Sequence, residues 1–354
     1  MFQIAGRKVG RTEKPLVIAE ISANHNGSID SAKRLIQAAR DSNAGAVKLQ
    51  TYSPDTMTID SDLPDFVVRG GPWDGRTLYD LYSEAQTPFS WHKELFDFAR
   101  SIGILMFSTP FDESAVSLLE GLDAPAYKIA SFEITDLPLI KAVSRTGKPL
   151  LMSTGMASKD EIAQAVDHAK VHGCKSLLLF HCISSYPAPL EQANLSTIQA
   201  LRSDFGVEVG LSDHTLDHRA AQMAVALGAT AIEKHFTLDR SIPGPDSFFS
   251  ITPPELSDLV QVCDEAWEAV GSSPYKRPSA ESGSRAFRRS IYFVEDVDAG
   301  EVVSTTNTRI IRPGFGLEPK FFDQIQGARL SEDVKRGQPV TWDKLQSGSA
   351  KVKP

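Results

Sequence analysis

The fold is decided by short apolar runs, of which Ala46-Val47-Lys48-Leu49-Gln50-Thr51-Tyr52 is representative. A strand that is covered on both faces is apolar throughout instead of alternating, so this run predicts a strand of a buried parallel sheet. Similar runs rich in Val, Ile and Leu recur over the first three quarters of the chain. Together they predict eight strands, at residues 16–22, 46–52, 104–109, 126–130, 150–154, 176–182, 208–212 and 229–236.

Segments with the spacing of amphipathic helices separate most of these strands. They cover residues 31–41, 114–119, 137–145, 159–172 and 218–227. Eight strand-then-helix units over about 250 residues are typical of a TIM (β/α)8 barrel in the α/β class. An open doubly wound sheet is the alternative. The first strand–helix turn, Asn24-His25-Asn26-Gly27, has no glycine-rich dinucleotide fingerprint, so the barrel is favoured.

The composition excludes several classes of protein. The chain has 354 residues, of which 41% are hydrophobic and 23% charged, and this is ordinary for a large globular domain followed by a small one. No apolar run reaches the ~18–20 residues of a membrane span, and the first residues lack a signal peptide, so we expect a cytoplasmic protein. The net charge of −8 is dispersed without a basic run, which argues against nucleic acid or an anionic membrane as partner.

The three cysteines, Cys174, Cys182 and Cys263, cannot all pair and show no metal-ligand spacing. We expect them to be reduced core residues.

One connection breaks the regular rhythm. About fifty residues separate Tyr52 from Ile104, whereas most βα and αβ loops have about 2–6. This insertion contains Arg69-Gly70-Gly71-Pro72-Trp73-Asp74-Gly75-Arg76. Because it leaves the C-terminal end of a barrel strand, it should lie at the mouth where barrels bind ligands. It is either surface decoration or a lid or substrate-selecting loop.

The last part of the chain predicts a second domain. A linker-like stretch follows a helix at 254–269, and residues 290–294 then alternate as in a strand. Two similar segments, 297–303 and 334–340, each place a glycine shortly before a valine, as hairpins or half-turns would. We predict a barrel domain at 1–272, a linker at 273–287 and a small β-rich domain at 288–354. A fold of about sixty residues is marginally stable alone.

Polar residues stand at or just beyond the C-terminal ends of the predicted strands, where barrel enzymes keep their chemistry. Lys48 and Lys128 lie inside apolar runs, and a buried lysine costs several kcal/mol unless it is compensated. One interpretation is a salt bridge to Glu20 or Glu233 inside the barrel. The other is an anion site for phosphate or carboxylate, and a Schiff-base lysine also stays open.

Two histidines, His214 and His235, lie at the ends of the last two predicted strands. Either one alone would more often be structural. Together with Glu20 and with Asp246 in the stiff Pro-Gly-Pro-Asp loop, they form a candidate divalent-metal site with open positions. Their spacing matches no short metal motif.

At these same residues the chain resembles the sialic acid synthase family, whose members condense phosphoenolpyruvate with an amino sugar to form a nine-carbon sugar acid. The last segment, around Arg309-Ile310-Ile311-Arg312-Pro313-Gly314, resembles the family's antifreeze-like (SAF) domain. In order, the other matching stretches are residues 18–27, 47–52, 108–112, 127–131, 152–156, 210–215, 233–236 and 243–246.

The resemblance implies a role for each matching position. The metal ligands would be His214 and His235, holding Mn²⁺ foremost, with Mg²⁺ or Co²⁺ as alternatives. Glu20 would be the catalytic carboxylate, and His235 or Asp246 a proton donor. Arg312 would enter the partner subunit's active site, which implies a domain-swapped homodimer. The residues that would grip phosphoenolpyruvate are Lys48, Lys128, Ser131 and Ser153, and those facing the sugar are Tyr186, Ser184, Asp246 and Arg312.

The sugar is indicated by one departure from the family pattern and by one further resemblance. Members that use N-acetylmannosamine typically have asparagine two residues before the tyrosine, where this chain has Ser184. Residues 78–89 resemble the pseudaminic acid synthase branch, which takes 2,4-diacetamido-2,4,6-trideoxy-altrose. Synthesis of legionaminic or N-acetylneuraminic acid is the alternative, and a metal-free Schiff-base aldolase using Lys128 is a more distant one.

Overall fold

A computed structural model describes residues 1–348 except Pro72, Ser272 and Pro274. Parts of the predicted insertion, linker and C-terminal domain therefore lie outside the described residues. The chain forms two compact units, Met1–Ser272 and Ser273–Pro354.

The first unit is built on a closed barrel of eight parallel strands, β3 to β10, in which each strand pairs with its neighbours in chain order and β10 closes onto β3. The TIM barrel predicted from the sequence is therefore confirmed. The strands of this unit are β1 (Phe2–Ile4), β2 (Arg7–Val9), β3 (Leu16–Glu20), β4 (Ala46–Thr51), β5 (Leu105–Pro110), β6 (Tyr127–Ile129), β7 (Leu150–Ser153), β8 (Leu177–Cys182), β9 (Glu208–Asp213) and β10 (Ala231–His235).

Helices cover the barrel, and several of them begin at residues whose side chains cap the first turn. Ser28 accepts a hydrogen bond from the Ser31 amide, and capping boxes begin the helices after Ser158 and Thr252. The helices are α1 (Ile29–Asp41), α2 (Pro54–Met57), α3 (Leu78–Ala85), α4 (Phe89–Ile102), α5 (Glu113–Gly121), α6 (Leu137–Ser144), α7 (Lys159–Val171), α8 (Thr197–Phe205), α9 (Arg219–Ala226) and α10 (Pro253–Val270).

The insertion is shorter than the sequence suggested. Helix α4 is the barrel's own helix between β4 and β5, and its buried face (His92, Leu95, Phe96 and Ala99) packs as in the other units. The added chain is therefore residues 52–88. The sequence alone does not distinguish α4 from the loop before it, because one tryptophan, one histidine and several charged residues interrupt its apolar stripe.

The N-terminal hairpin of β1 and β2 was not predicted. Its turn places Ala5 and Gly6 at positive φ, 45° and 85°, and its strands have three residues each, too few for any periodicity to show. Ile4 and Val9 are buried in the same apolar cluster as the lower barrel interior. The hairpin therefore closes the N-terminal end of the barrel.

The barrel interior has two layers, because side chains two residues apart on a strand point to the same side. The lower layer is apolar; it includes Ile18 on β3 and Ala46 on β4, which are paired in register. The next inward positions toward the C-terminal end are Glu20 and Lys48, also paired in register. The upper layer is therefore charged, and it lies at the mouth.

No helix in the described part of the chain is long and apolar enough to cross a membrane. All three cysteines are free and buried.

The second unit is a small β-rich domain, as predicted. Strand β11 (Ser290–Phe293) pairs antiparallel with β12 (Thr308–Ile311), and a short helix, α11 (Phe322–Ile325), follows. The two similar sequence segments meet at an antiparallel bridge between Val297 and Val334. The domain has its own apolar core, formed by Ile291, Phe293, Val297, Val303, Ile325, Ala328, Leu330, Val334, Val340 and Leu345.

Candidate active site

A buried network of two lysines and two glutamates fills the upper layer of the barrel. The Lys48 ammonium lies 3.0 Å from Glu20 Oε2 and 2.9 Å from Glu233 Oε1. The Lys128 ammonium donates to both oxygens of Glu233, at 3.1 Å each, and lies 4.5 Å from the centre of the Phe180 ring. The intrabarrel salt bridge that the sequence left as one alternative is therefore present, and Glu233 is its centre.

The network perturbs the pKa of each member. Burial raises the pKa of Glu20 to about 7, although Lys48 opposes the shift. Burial lowers the pKa of Lys128 to about 8, against the attraction of Glu233. Burial disfavours the charge on Glu233 too, but Lys128 and Lys48 outweigh it and hold that pKa well below its usual range. At neutral pH, Glu20 is thus the carboxylate in this layer that can readily exchange a proton.

Glu20 is held in place from a neighbouring strand. Gln50 on β4 donates to Glu20 Oε1 at 3.2 Å and to the Ser22 hydroxyl at 2.9 Å. Ser22 in turn donates to the carboxylate of Asp246. A chain of hydrogen bonds therefore joins the predicted catalytic carboxylate to the predicted sugar-facing one.

Three of the predicted substrate-binding serines lie at the ends of β6, β7 and β8. The Gly155 amide donates to Ser131 Oγ at 3.2 Å. A Cβ on Gly155 would lie 2.7 Å from Ser131 Oγ and closer still to the Ser184 hydroxyl, so a side chain at this position would force both hydroxyls to move. Ser153, the last residue of β7, is buried two residues earlier. The sequence alone did not show that Ser184 would lie beside Ser131.

The two predicted metal ligands lie side by side. The ring centres of His214 and His235 are 5.4 Å apart. His214 Nδ1 donates to the Ile183 carbonyl at 2.9 Å, which leaves Nε2 with the lone pair in the neutral ring. His235 Nδ1 is buried without a hydrogen-bond partner and lies 3.8 Å from Asp246 Oδ2. Burial, and then His214, lower the pKa of His235 well below its ordinary value.

These nitrogens fit a divalent metal. Imidazole nitrogens bind divalent first-row metal ions, and a ligating histidine usually donates its other ring N–H to a backbone carbonyl or carboxylate, as His214 does to the Ile183 carbonyl. Over the described residues, no group of three or more His, Cys, Asp or Glu side chains is arranged to hold a metal ion. A metal bound here by His214 and His235 would take its remaining ligands from water or substrate.

An ion pair on the outer side of the barrel anchors the residues before both histidines. Asp213 and Lys234 are register partners on β9 and β10, each 1% exposed at the side chain. The Lys234 ammonium donates to Asp213 Oδ2 at 2.7 Å and to the carbonyls of Thr215 and Asp217 at 2.6 and 3.0 Å. All three of its donors are used, so the pair ties the loop that carries His214 to the strand that carries His235.

Aromatic rings pack beside the histidines. The Tyr186 ring centre is 4.4 Å from that of His214 and 5.1 Å from that of Phe249. Burial raises the pKa of the Tyr186 hydroxyl. Burial also raises the pKa of Asp246, although its hydrogen bond from Ser22 opposes the shift. Tyr186, Ser184 and Asp246 therefore lie around the imidazole pair, whereas Arg312 belongs to the second unit, where it follows β12.

The sequence analysis did not assign several residues that the fold brings to this site. Glu233 was named only as an alternative partner for the lysines, although its position two residues before His235 on β10 signals the same inward side. Gln50 lies two residues after Lys48 on β4, so it too is on the same side of its strand as a predicted site residue. Cys182 lies 3.9 Å from His214 Nδ1, and no pattern in the sequence indicated it.

Comparison with known proteins identifies the family. The NeuB family matches residues 35–275 and the SAF domain matches residues 288–346. Pseudaminic acid synthase of Campylobacter jejuni is 42% identical over 325 residues, covering 92% of this chain and 95% of that protein. N,N'-diacetyllegionaminic acid synthase of Legionella pneumophila is 36% identical, covering 94% of each.

A solved structure supports the same assignment. The N-acetylneuraminic acid synthetase of Leptospira borgpetersenii, crystallised with citrate, superposes with a TM-score of 0.73 at 31% identity, covering 80% of this chain and 94% of that one. The chain therefore belongs to the NeuB family, the sialic acid synthases, and is a synthase of the phosphoenolpyruvate-condensing class.

Proposed function

We propose that this enzyme condenses phosphoenolpyruvate with 2,4-diacetamido-2,4,6-trideoxy-altrose and water to give pseudaminic acid and phosphate. The observation that carries the reaction is the buried Lys48–Lys128–Glu20–Glu233 network directly below two imidazoles. The greater identity to a pseudaminic acid synthase than to a legionaminic acid synthase supports the choice of sugar, as does Ser184.

Phosphoenolpyruvate would bind at Lys48 and Lys128, with Ser131 and Ser153 at the ends of the adjoining strands. In the structure described here both ammonium groups are paired with glutamates. Each ammonium group keeps at least one carboxylate partner. The two lysines are therefore held in position before phosphoenolpyruvate binds. Ser131, Gly155 and Ser184 provide small polar groups beside this phosphoenolpyruvate site.

The reaction forms one C–C bond and breaks one C–O bond. C3 of phosphoenolpyruvate attacks the aldehyde carbon of the open-chain sugar, and positive charge develops at C2. Water adds to C2, and Glu20 accepts the proton that the water loses. The C2–oxygen bond to phosphate then breaks, the C2 hydroxyl becomes the ketone carbonyl, and its proton leaves with the phosphate. Asp246, whose pKa is raised by burial, is the better donor of the proton that neutralises the oxygen of the former aldehyde, because the lowered pKa of His235 leaves its ring neutral.

Residues around the imidazoles hold the sugar at near-attack distance. Tyr186 and Asp246 contact His214 and His235, so a sugar carbonyl placed at the imidazoles would touch both. A divalent metal, Mn²⁺ foremost with Mg²⁺ or Co²⁺ as alternatives, would supply Lewis-acid polarisation of that carbonyl when bound by the two histidines.

Phosphate release is the direct test. The enzyme is incubated with phosphoenolpyruvate and Mn²⁺, with either the diacetamido-trideoxy-altrose or N-acetylmannosamine, in the presence and absence of a chelator. We expect release with the altrose sugar alone, lost on chelation. Release with N-acetylmannosamine instead would keep the family and overturn the proposed sugar, and release unaffected by chelation would overturn the metal.

A Schiff-base aldolase is favoured by one observation, the lowered pKa of Lys128. Both oxygens of Glu233 accept from its ammonium, however, which holds the nitrogen lone pair in an N–H bond. Borohydride treatment in the presence of pyruvate separates the two mechanisms. We expect no covalent adduct on Lys128, and a stable adduct would replace the proposed reaction with the aldolase.

We also propose a domain-swapped homodimer, in which Arg312 reaches the partner subunit's active site. Its support in the first unit is a set of exposed apolar side chains on loops that follow the barrel strands, where an unpartnered surface would usually be polar. These are Phe132, Met156, Leu216, Ile242 and Phe248, each at least 42% exposed. The cytoplasmic location stays a prediction from the sequence.

Mixing two inactive variants tests the swap. In a dimer of one Glu20→Gln chain and one Arg312→Ala chain, one of the two sites would combine an intact barrel with an intact Arg312. Random mixing of subunits should then restore about a quarter of the wild-type activity, given two-fold symmetry. No recovery after verified subunit exchange would contradict the swap.

A further inference from the structure

The insertion between β4 and α4 carries a short hairpin, residues 67–77, which we call the Trp73 hairpin. Val67 and Thr77 form an antiparallel bridge, and the Val68 amide donates to the Arg76 carbonyl at 2.9 Å. At the tip, the Gly70 amide donates to Asp74 Oδ1 at 2.5 Å. Cross-strand bonds and a side-chain cap therefore give the described part of this hairpin a defined shape.

The rest of the insertion is packed onto the barrel mouth. Tyr82 on α3 meets Tyr52 edge-on with ring centres 5.8 Å apart, and Tyr52 meets Phe111 in the same way at 5.2 Å. The insertion then returns to the barrel at Thr87, whose hydroxyl bonds the buried His25 ring at 3.2 Å. The hairpin is thus carried on a base that contacts the ends of three strands.

Trp73, at the hairpin tip, touches both elements that enclose the imidazole pair. Its indole Nε1 donates to the Pro245 carbonyl at 3.1 Å, directly before Asp246. Its ring centre lies 6.1 Å from that of Tyr186. The side chain is half-buried, so part of the indole is left uncovered beside the two residues expected to face the sugar.

We propose that Trp73 is a specificity-determining residue that forms an apolar wall of the sugar subsite. The inference rests on the proposed function and names what selects its sugar. An indole face binds the methyl of an acetamido group or a deoxy carbon well, and it binds a hydroxyl at the same position poorly. A sugar with two acetamido groups and a 6-deoxy carbon therefore gains more from this wall than N-acetylmannosamine does.

The test compares Trp73→Ala and Trp73→Phe with a matched control, Trp267→Phe. Trp267 on α10 makes the same kind of bond, from its Nε1 to the Arg11 carbonyl at 3.0 Å. We expect Trp73→Ala to lower kcat/KM for the diacetamido sugar about tenfold or more, with a smaller loss for N-acetylmannosamine. Trp73→Phe should lie between Trp73→Ala and wild type, and neither variant should change the KM for phosphoenolpyruvate.

Intrinsic fluorescence gives a second readout that needs no turnover. In the Glu20→Gln background with phosphoenolpyruvate present, adding the sugar should change the emission of the parent and of Trp267→Phe. The change should be absent from Trp73→Phe, which keeps a ring and is the variant that best preserves folding.

Three results would overturn the inference. One is an unchanged ratio of kcat/KM for the two sugars in both Trp73 variants, and another is an equal loss of affinity for sugar and phosphoenolpyruvate. A fluorescence change that survives in Trp73→Phe is the third. If the wild type consumes only N-acetylmannosamine, the proposed sugar fails, and the preference for the diacetamido sugar falls with it. A wild type that consumes neither sugar overturns the proposed function itself.

Discussion

The two interior layers of the barrel are built on the same strands and do opposite things. In the lower layer, Ile18, Ala46 and Phe107 are completely buried against other apolar side chains. In the upper layer, two residues further along, Glu20 and Lys48 are just as buried but charged. Apolar burial stabilises the fold, whereas burying charges costs free energy that ion pairing only partly returns. The comparison indicates that the lower layer provides stability, whereas the upper layer is kept at a cost in stability, as the proposed active site would require.

Glu20→Gln should break the upper layer's function most completely. Removing the group that we propose accepts the water proton should lower kcat by about a thousandfold or more. Phosphoenolpyruvate binding, measured by calorimetry, should stay within a few-fold because Lys48 and Lys128 remain. Near-normal turnover with lost phosphoenolpyruvate affinity would show that Glu20 only supports the lysines.

Phe107→Ala should break the lower layer instead. Deleting a fully buried ring from a close-packed core should reduce the free energy of unfolding by about 3–5 kcal/mol. At a temperature where the variant is folded, its kcat should stay within about twofold of wild type, because Phe107 belongs to the apolar cluster and takes no part in the charged network. Phe107→Leu is the conservative control. A large loss of kcat in folded Phe107→Ala would mean that the layers are not separable.

Gly155→Ala should test the polar groups of the upper layer at the mouth of the barrel. The added methyl would displace the hydroxyls of Ser131 and Ser184. We therefore expect the KM for phosphoenolpyruvate to rise about tenfold through Ser131, and the KM for the sugar to rise as well through Ser184. Gly121→Ala on α5 is the matched control, because a Cβ there meets no atom within 4 Å. Equal kinetics in the two variants would place phosphoenolpyruvate elsewhere.

The smallest expected effect is on the pH dependence, where only the upper layer carries titrating groups. Glu20 must be deprotonated to act, so kcat/KM should rise with pH through about 7, its raised pKa. Lys128 must be protonated to hold the anion, so kcat/KM should fall again above about 8, its lowered pKa. Lys128→Arg should remove the falling limb, because guanidinium stays charged. A profile that is flat from pH 6 to 9 would contradict both assignments.

The pH dependence of the free energy of unfolding should also follow Glu20, but here the protonated form is the favoured one. A carboxyl whose folded pKa is raised favours its protonated form, so the contribution of Glu20 to stability is complete below its unfolded pKa of 4.5 and is lost as the pH rises through about 7. The free energy of unfolding of Glu20→Gln should lack this decline. The contribution of Glu20 to stability is thus smallest where this carboxylate is deprotonated, the form that the proposed reaction requires.

The amino-acid sequence alone determined the barrel. Eight apolar runs of strand length, separated by helical periodicity, leave little choice of fold, because each strand must be buried on both faces. The eight predicted strands agree with β3 to β10 to within two residues at either end. The motif resemblance likewise determined the family, since the matching residues recur in order along nearly the whole chain.

Only the tertiary structure decided which polar residues pair with one another. Lys48, Lys128 and Glu233 are separated by up to 185 residues, and no local pattern shows that one carboxylate serves both lysines. The contacts of Trp73 with Tyr186 and Pro245 also join loops that are far apart in the sequence. Strand periodicity is a local property of the chain, whereas these pairings depend on register and loop closure, which exist only once the barrel has formed.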